Sequence, residues 1–243
     1  MEPTTSTETT EKPLAGTVPS HRCYIFMHSA EQPSEFPSRM STPISRSLQL
    51  KAIKWGGVVN FGWQAHWAGT NPDEPAATVF STTGGRLELS GLTLQNLDAV
   101  EQRILQHVER DRSMQEDDQI LLFVCTHGAR DCRCGNTGGQ VFRALQEEVD
   151  RRKRLDPTGN INKVKIGSVG HVGGHAHAAN VLVFPRGDWL GRLQAGDASA
   201  VLDEVLSNPA RPMGLSDPPL MPDHWRGRMG LFKEEQIHLM AAS

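Results

Sequence analysis

Two stretches of the chain can be laid over one another. VFSTTGGRLELSGLTLQNLDAV (79–100) and VFPRGDWLGRLQAGDASAVL (183–202) each read as strand, turn, strand and a helix with an acidic start. Self-similarity of this kind marks a duplicated unit, so it restricts the chain to two similar halves. The upstream elements agree. RCYIFMH (22–28) reads as a strand, 44–54 as a helix with Leu48, Ala52 and Ile53 at helical spacing, and VVNFGWQ (58–64) as a strand. In the other half QILLFVC (119–125) is a strand and KVKIGSV (163–169) another. Between them, QVFRALQEEVDRRK (140–153) carries Val141, Leu145 and Val149 on one helical face. TTGG joins 77–81 to 86–90 and RGD joins 180–185 to 189–193 as hairpins. Helices near 94–111, capped by Thr93, and 197–207 close the halves. Each half reads β-α-β-β-β-α, which makes the chain α/β.

Composition excludes several function classes. A formal charge of −3 over 243 residues provides no overall basic field, so nucleic acid is not an expected partner. The one basic run, RRKR at 151–154, ends a predicted helix and suits the helix dipole. No apolar run approaches the ~20 residues that span a bilayer, so a membrane partner is not expected either. Residues 1–20 carry three Glu and no Arg and read as a disordered tail of a cytoplasmic protein. Residues 209–243 read as a Pro-rich extension with a short amphipathic helix near 231–240, either docked or frayed.

Chemistry concentrates at two strand ends of the second half. CTHGARDCRCG (125–135) supplies Cys125, Cys132 and Cys134, and GHVGGH (170–175) supplies His171 and His175. Three cysteines within ten residues are spaced for metal or redox chemistry rather than for a disulfide framework. Gly173 and Gly174 argue for a tight loop that presents both imidazoles to one ion. Glycines 128, 135, 138 and 139 would let backbone N–H groups approach sulfur closely. His127 is a further candidate, since it shares the Cys125 face of an extended segment. Cys132 could replace Cys134, whereas His177 reads as exposed. Arg130, Asp131 and Arg133 read as loop-fixing groups. Cys23, His28 and His66 in the first half form no comparable quartet. Two thiolates and two imidazoles suit either zinc or an iron–sulfur cluster. No nucleophile–base arrangement, P-loop or dinucleotide fingerprint appears, so whether the chain is an enzyme stays open, with a non-enzymatic role favoured.

Residues 119–207 resemble the thioredoxin-like ferredoxins, in which two cysteine pairs occupy these same two loops; here HVGGH stands in place of the second pair. CTHGARDCRCG, GHVGGHAHAANVLVF and GDWLGRL are similar to the sucrase/ferredoxin-like family, and PLAGTVPSHRCYIF carries a weaker likeness into the first half. The resemblance implies a 2Fe–2S cluster bound by Cys125, Cys134, His171 and His175, with Cys132 at a variable position. With the internal duplication, this makes the chain two thioredoxin-like units, a degenerate one at 21–115 and the ferredoxin-like one at 117–208. The expected function is electron transfer or redox sensing, coupled to protons through the imidazoles. Redox donor and acceptor proteins would be the partners, with a homodimer left open. The alternative is a structural Cys2His2 zinc protein.

Overall fold

The computed structural model describes residues 13–68, 74–111 and 115–243. In the first half come β1 (Cys23–His28), α1 (Pro43–Ala52), β2 (Gly57–Trp63), β3 (Ala77–Ser81), β4 (Gly85–Leu89) and α2 (Leu97–Val108). The second half has β5 (Ile120–Cys125), α3 (Gly139–Leu155), β6 (Val164–Val169), β7 (Val181–Phe184), β8 (Asp188–Leu190) and α4 (Ala198–Ser207). Two further elements, β9 (Trp225–Arg228) and α5 (Lys233–Ala241), follow.

All strands of the described residues join one sheet in the order β4-β3-β1-β2-β6-β5-β7-β8-β9. In each half the first strand runs parallel to the second and antiparallel to the third. The halves meet edge to edge through a short antiparallel pairing, Gly62 with Val169 and Trp63 with Ser168.

Side-chain alternation along the strands shows how this sheet folds. Ile120, Leu122 and Val124 of β5 pack beneath α3 and α4, while Leu121, Phe123 and Cys125 point to the other face. On β1, Cys23, Ile25 and Met27 pack under α1 and α2, and Tyr24 and Phe26 face away. The two helix-free faces meet: Phe26 stacks on Phe123 at 4.0 Å and Phe80 on Phe184 at 4.4 Å between ring centroids. The sheet therefore bends at the β2–β6 joint and closes on an aromatic core. Burying each such ring contributes about 2 kcal/mol.

Local signals set most boundaries. Thr42 and Ser45 form a reciprocal capping box, with Pro43 at the first helical position of α1. Thr93 caps a turn rather than α2 itself: its hydroxyl accepts from the Asn96 N–H at 3.2 Å, and α2 starts at Leu97. The basic run clamps two helices together. Arg151 and Arg152 both bond Glu148, and Arg152 also reaches Asp203 of α4 at 2.6 Å.

The N-terminal end departs from expectation, while the C-terminal end takes the docked alternative and adds a strand. Of the tail expected over residues 1–20, residues 1–12 lie outside the described residues, but 13–20 do not hang free. Leu14 and Val18 are buried, and Thr17 bonds Arg226 through its hydroxyl and carbonyl oxygens. The extension at 209–243 supplies the ninth strand, and α5 docks through Gln236, whose amide donates to the carbonyls of Val18 and Leu231.

Candidate metal centre

Cys125 is the last residue of β5 and fully buried, so a rigid strand fixes its position. Its N–H donates to the Asn180 carbonyl at 3.0 Å. The chain turns through Asp131 and becomes helical at Cys132, where the sequence favours a loop as far as Gly139. Cys134 opens a π-helical turn, Cys134–Gly138, that runs into α3. The glycines serve this approach. A Cβ on Gly138 would overlap the Cys125 carbonyl oxygen, and one on Gly135 would lie 2.7 Å from the Gly128 Cα. Helix propensity disfavours glycine here, but backbone packing against the strand end requires it.

The second loop leaves β6 at Val169 and is tight, as its sequence indicates. Gly173 and Gly174 take φ of +80° and +63°, which L side chains rarely adopt. First-half residues hold this loop. Gly170 N–H donates to the Phe61 carbonyl at 2.9 Å, and the Asn60 amide donates to the carbonyls of Gly170 and His171 and to the Tyr24 hydroxyl. His127 bridges the two ligand loops. Its Nδ1 accepts from the His171 N–H at 3.3 Å, which places the proton on Nε2, and Nε2 donates to the Pro37 carbonyl at 2.9 Å. Both ring nitrogens are committed to these bonds, so His127 positions His171 and leaves neither nitrogen free for an ion.

Three of the four expected donors converge. One atom each from Cys125, Cys134 and His171 lies within 4.8 Å of the other two, with Cys134 Sγ and His171 Nδ1 3.7 Å apart. His175 stands beside them. Its ring is 5.7 Å from that of His171, half its side chain is exposed, and its Nδ1 lies 3.6 Å from an Asp131 carboxylate oxygen. The donor set of two buried thiols and two imidazoles fits a 2Fe–2S cluster and also zinc.

The electrostatics favour one thiolate even without an ion. A hydrogen bond from Cys134, then one from His171 and the N–H groups of Val172 and His127, hold the Cys125 thiol well below the usual range despite its burial. The same hydrogen bond pushes the Cys134 thiol up, with burial adding to it. The pair shares one proton, and metal binding would release it. Asp131 is held down to about 2, chiefly by the Arg133 guanidinium, and so remains a carboxylate facing His175.

The other candidates fall outside the group. Cys132 is exposed. His177, expected at the surface, is half-buried, and Arg226 and Arg192 hold its pKa down after burial itself. Cys23 and His28 lie at opposite ends of β1 and form no site. His28 stacks on Trp67 at 3.7 Å and bonds the Thr78 hydroxyl at 2.8 Å. Burial and the neighbouring His66 lower its pKa to about 4. The unfolded chain takes up this proton below pH ~6.5, whereas the folded chain resists it until about 4. Stability is thus full above pH 6.5 and falls toward pH 4, by roughly 2 kcal/mol after discounting for partial exposure. Urea midpoints across this range should drop for the wild type and drop less for His28→Gln.

The profile of the sucrase/ferredoxin-like family matches residues 14–227. This chain belongs to that family. Altered inheritance of mitochondria protein 32 of Meyerozyma guilliermondii is 29% identical over 231 residues, covering 81% of this chain and 80% of that protein. Actin patches distal protein 1 of Saccharomyces cerevisiae is 30% identical over 95 residues, 37% of this chain and 30% of its own length. Among solved structures, the wild-type thioredoxin-like [2Fe-2S] ferredoxin of Aquifex aeolicus aligns at 20% identity with a TM-score of 0.31, covering 37% of this chain and 88% of that one. No helix of the described residues is long and apolar enough to cross a membrane.

Three groups in and around the site escaped the sequence reading: Asn60, Asn180 and Arg226. Asn60 lies inside a strand, Asn180 sits next to a strand read only for its apolar run, and Arg226 occupies a polar segment. None of them carries a local signal.

Proposed function

We propose that the chain is a 2Fe–2S electron-transfer or redox-sensing protein whose cluster is held by Cys125, Cys134, His171 and His175. The convergence of Cys125, Cys134 and His171 carries this reading, and membership of a family described as ferredoxin-like supports it. His175, next to His171, is the fourth ligand. The cluster would supply a one-electron couple. Two neutral imidazoles in place of two thiolates leave the oxidised centre about neutral rather than doubly negative, so it accepts an electron more readily. Rieske centres, with the same ligand count, span about −150 to +300 mV against ~−400 mV for all-cysteine plant-type clusters.

Within the same reading, 21–115 and 117–208 are two copies of a thioredoxin-like unit, and the first braces the metal loops through Asn60 and Pro37. The cytoplasm is the proposed location, and electron donor and acceptor proteins are the proposed partners. Visible absorption and EPR spectra of the protein, as isolated and after dithionite, test the assignment. A red-brown protein with a signal on reduction is expected. A colourless protein with stoichiometric zinc would replace this reading by the structural Cys2His2 zinc site.

Imidazole ligands keep a second ring nitrogen that binds a proton more tightly once the centre is reduced. The midpoint potential should therefore fall with pH, by ~59 mV per unit where one proton accompanies one electron. A midpoint that stays flat from about pH 6 to 10 removes the proton-coupled part and leaves the cluster assignment standing.

A further inference from the structure

Arg186, Arg226 and Arg228 are all buried, at 4%, 1% and 0% exposure. Burying a guanidinium is costly unless a counter-charge accompanies it. Arg186 and Arg228 share the carboxylate of Asp188. Among the described residues Arg226 pairs with no carboxylate. Its nitrogens donate only to neutral oxygens: Asn180 Oδ1 at 2.8 Å, the Thr17 carbonyl at 3.1 Å and the Thr17 hydroxyl at 3.1 Å.

The position of Arg226 suggests what balances it. The guanidinium lies against Gly174, between the two histidines of the second loop; a Cβ on Gly174 would overlap it. A Cβ on Gly191 would lie 2.7 Å from its Cδ, and the Trp189 ring flanks it at 5.8 Å. Two glycines and an indole thus make a slot that delivers one cation to the underside of the metal loop. Burial lowers its pKa only to about 10, so it stays charged at neutral pH, and the nearby Cys125–Cys134 pair opposes that lowering. Asn180 ties the parts together: its side chain accepts from Arg226 and donates to the Gly174 carbonyl, and its own carbonyl accepts from the Cys125 N–H.

We propose that Arg226 is the built-in counter-cation of the Cys125–Cys134 pair and makes the centre they hold easier to reduce. The inference rests on the 2Fe–2S reading. A fixed positive charge on the protein side of the centre favours the state with one more electron, and no proton moves on Arg226 in that step. The residue acts through the field at the ligands, so it is a positioning and tuning group, not a ligand.

Redox titration of the full chain, followed by visible absorption, tests it. Arg226→Gln should lower the equilibrium constant for taking up an electron about tenfold, a shift of ~59 mV to lower potential. Arg226→Lys should stay near the wild type, because it keeps the charge. Asn180→Asp provides an independent arm that leaves the arginine in place: a carboxylate on its Nη1 neutralises the field and should lower the potential similarly. Asn180→Ala controls for the lost bond to Gly174. If Arg226→Gln fails to fold, the Asn180 pair decides. A coloured wild type whose potential moves in neither the Gln nor the Asp variant overturns this inference alone, as does a Lys variant that falls as far as Gln. A wild type without an iron–sulfur spectrum overturns the cluster reading and this inference with it.

Discussion

Cys125→Ala is expected to give a folded chain that binds no metal at all. The sulfur sits at the closed end of β5, where the N–H groups of His127 and Val172, the Cys134 thiol and the His171 ring all point at it. No other described donor reaches that position, so nothing replaces it. The structural cost is small by comparison. Removing one sulfur atom from a buried site leaves a void near the size of a methyl group, about 1 kcal/mol. Metal analysis of the purified variant, together with a thermal melt followed by circular dichroism, separates the two effects. Cys134→Ala should behave the same way, because Cys134 holds the other converging sulfur on a helix fixed by the Gly138 contact. Cys132→Ala should keep its metal, since that thiol is exposed and outside the group. Metal lost on removing Cys132 but kept on removing Cys134 would reverse the ligand assignment. His171→Cys or His175→Cys should keep a cluster and lower its potential, because a thiolate adds negative charge where an imidazole adds none.

The second half was legible in the sequence where apolar runs end in chemistry. ILLFVC places Cys125 correctly because a strand buried on both faces needs no pattern beyond hydrophobicity. HVGGH reads as a tight loop because two adjacent glycines disfavour helix. Elsewhere tertiary contacts override the local signal. Gly135 and Gly138 look like loop residues, yet they sit in a helical turn because a Cβ on Gly138 would meet the Cys125 carbonyl and one on Gly135 the Gly128 Cα. His127 shares the face of Cys125 in the extended sequence, but its second nitrogen is taken by Pro37, ninety residues earlier. WRGR at 225–228 carries no strand signal. Its two arginines are buried only because partners far along the chain receive them, at Asp188 for one and at Thr17 and Asn180 for the other. Residues 13–20 read as tail for the same reason: what fixes them, Arg226 and Gln236, lies more than two hundred positions away.

That long-range bonding makes Asp188→Ala the most destabilising single change expected here. The Asp188 carboxylate is wholly buried and accepts three bonds, from Arg186 Nε at 3.0 Å, Arg228 Nε at 2.8 Å and Trp225 Nε1 at 2.8 Å. Arg228 also donates to the carbonyls of Gly214, Asp217 and Pro218, so one network pins β9 and the loop before it. Removing one partner of a buried ion pair leaves an uncompensated charge and costs about 3–5 kcal/mol; here two guanidinium groups lose the same carboxylate. Asp188→Asn keeps the shape and an acceptor oxygen but not the charge, and should fall between the wild type and the alanine variant. Urea unfolding at neutral pH measures the loss. Because β9 also presents Arg226 beneath the metal loop, the alanine variant should lose metal as it loses stability, in parallel along the denaturant axis. A chain in which Asp188→Ala melts like the wild type would show that β9 is held by its backbone ladder alone, and that the buried arginines find water when their carboxylate is removed.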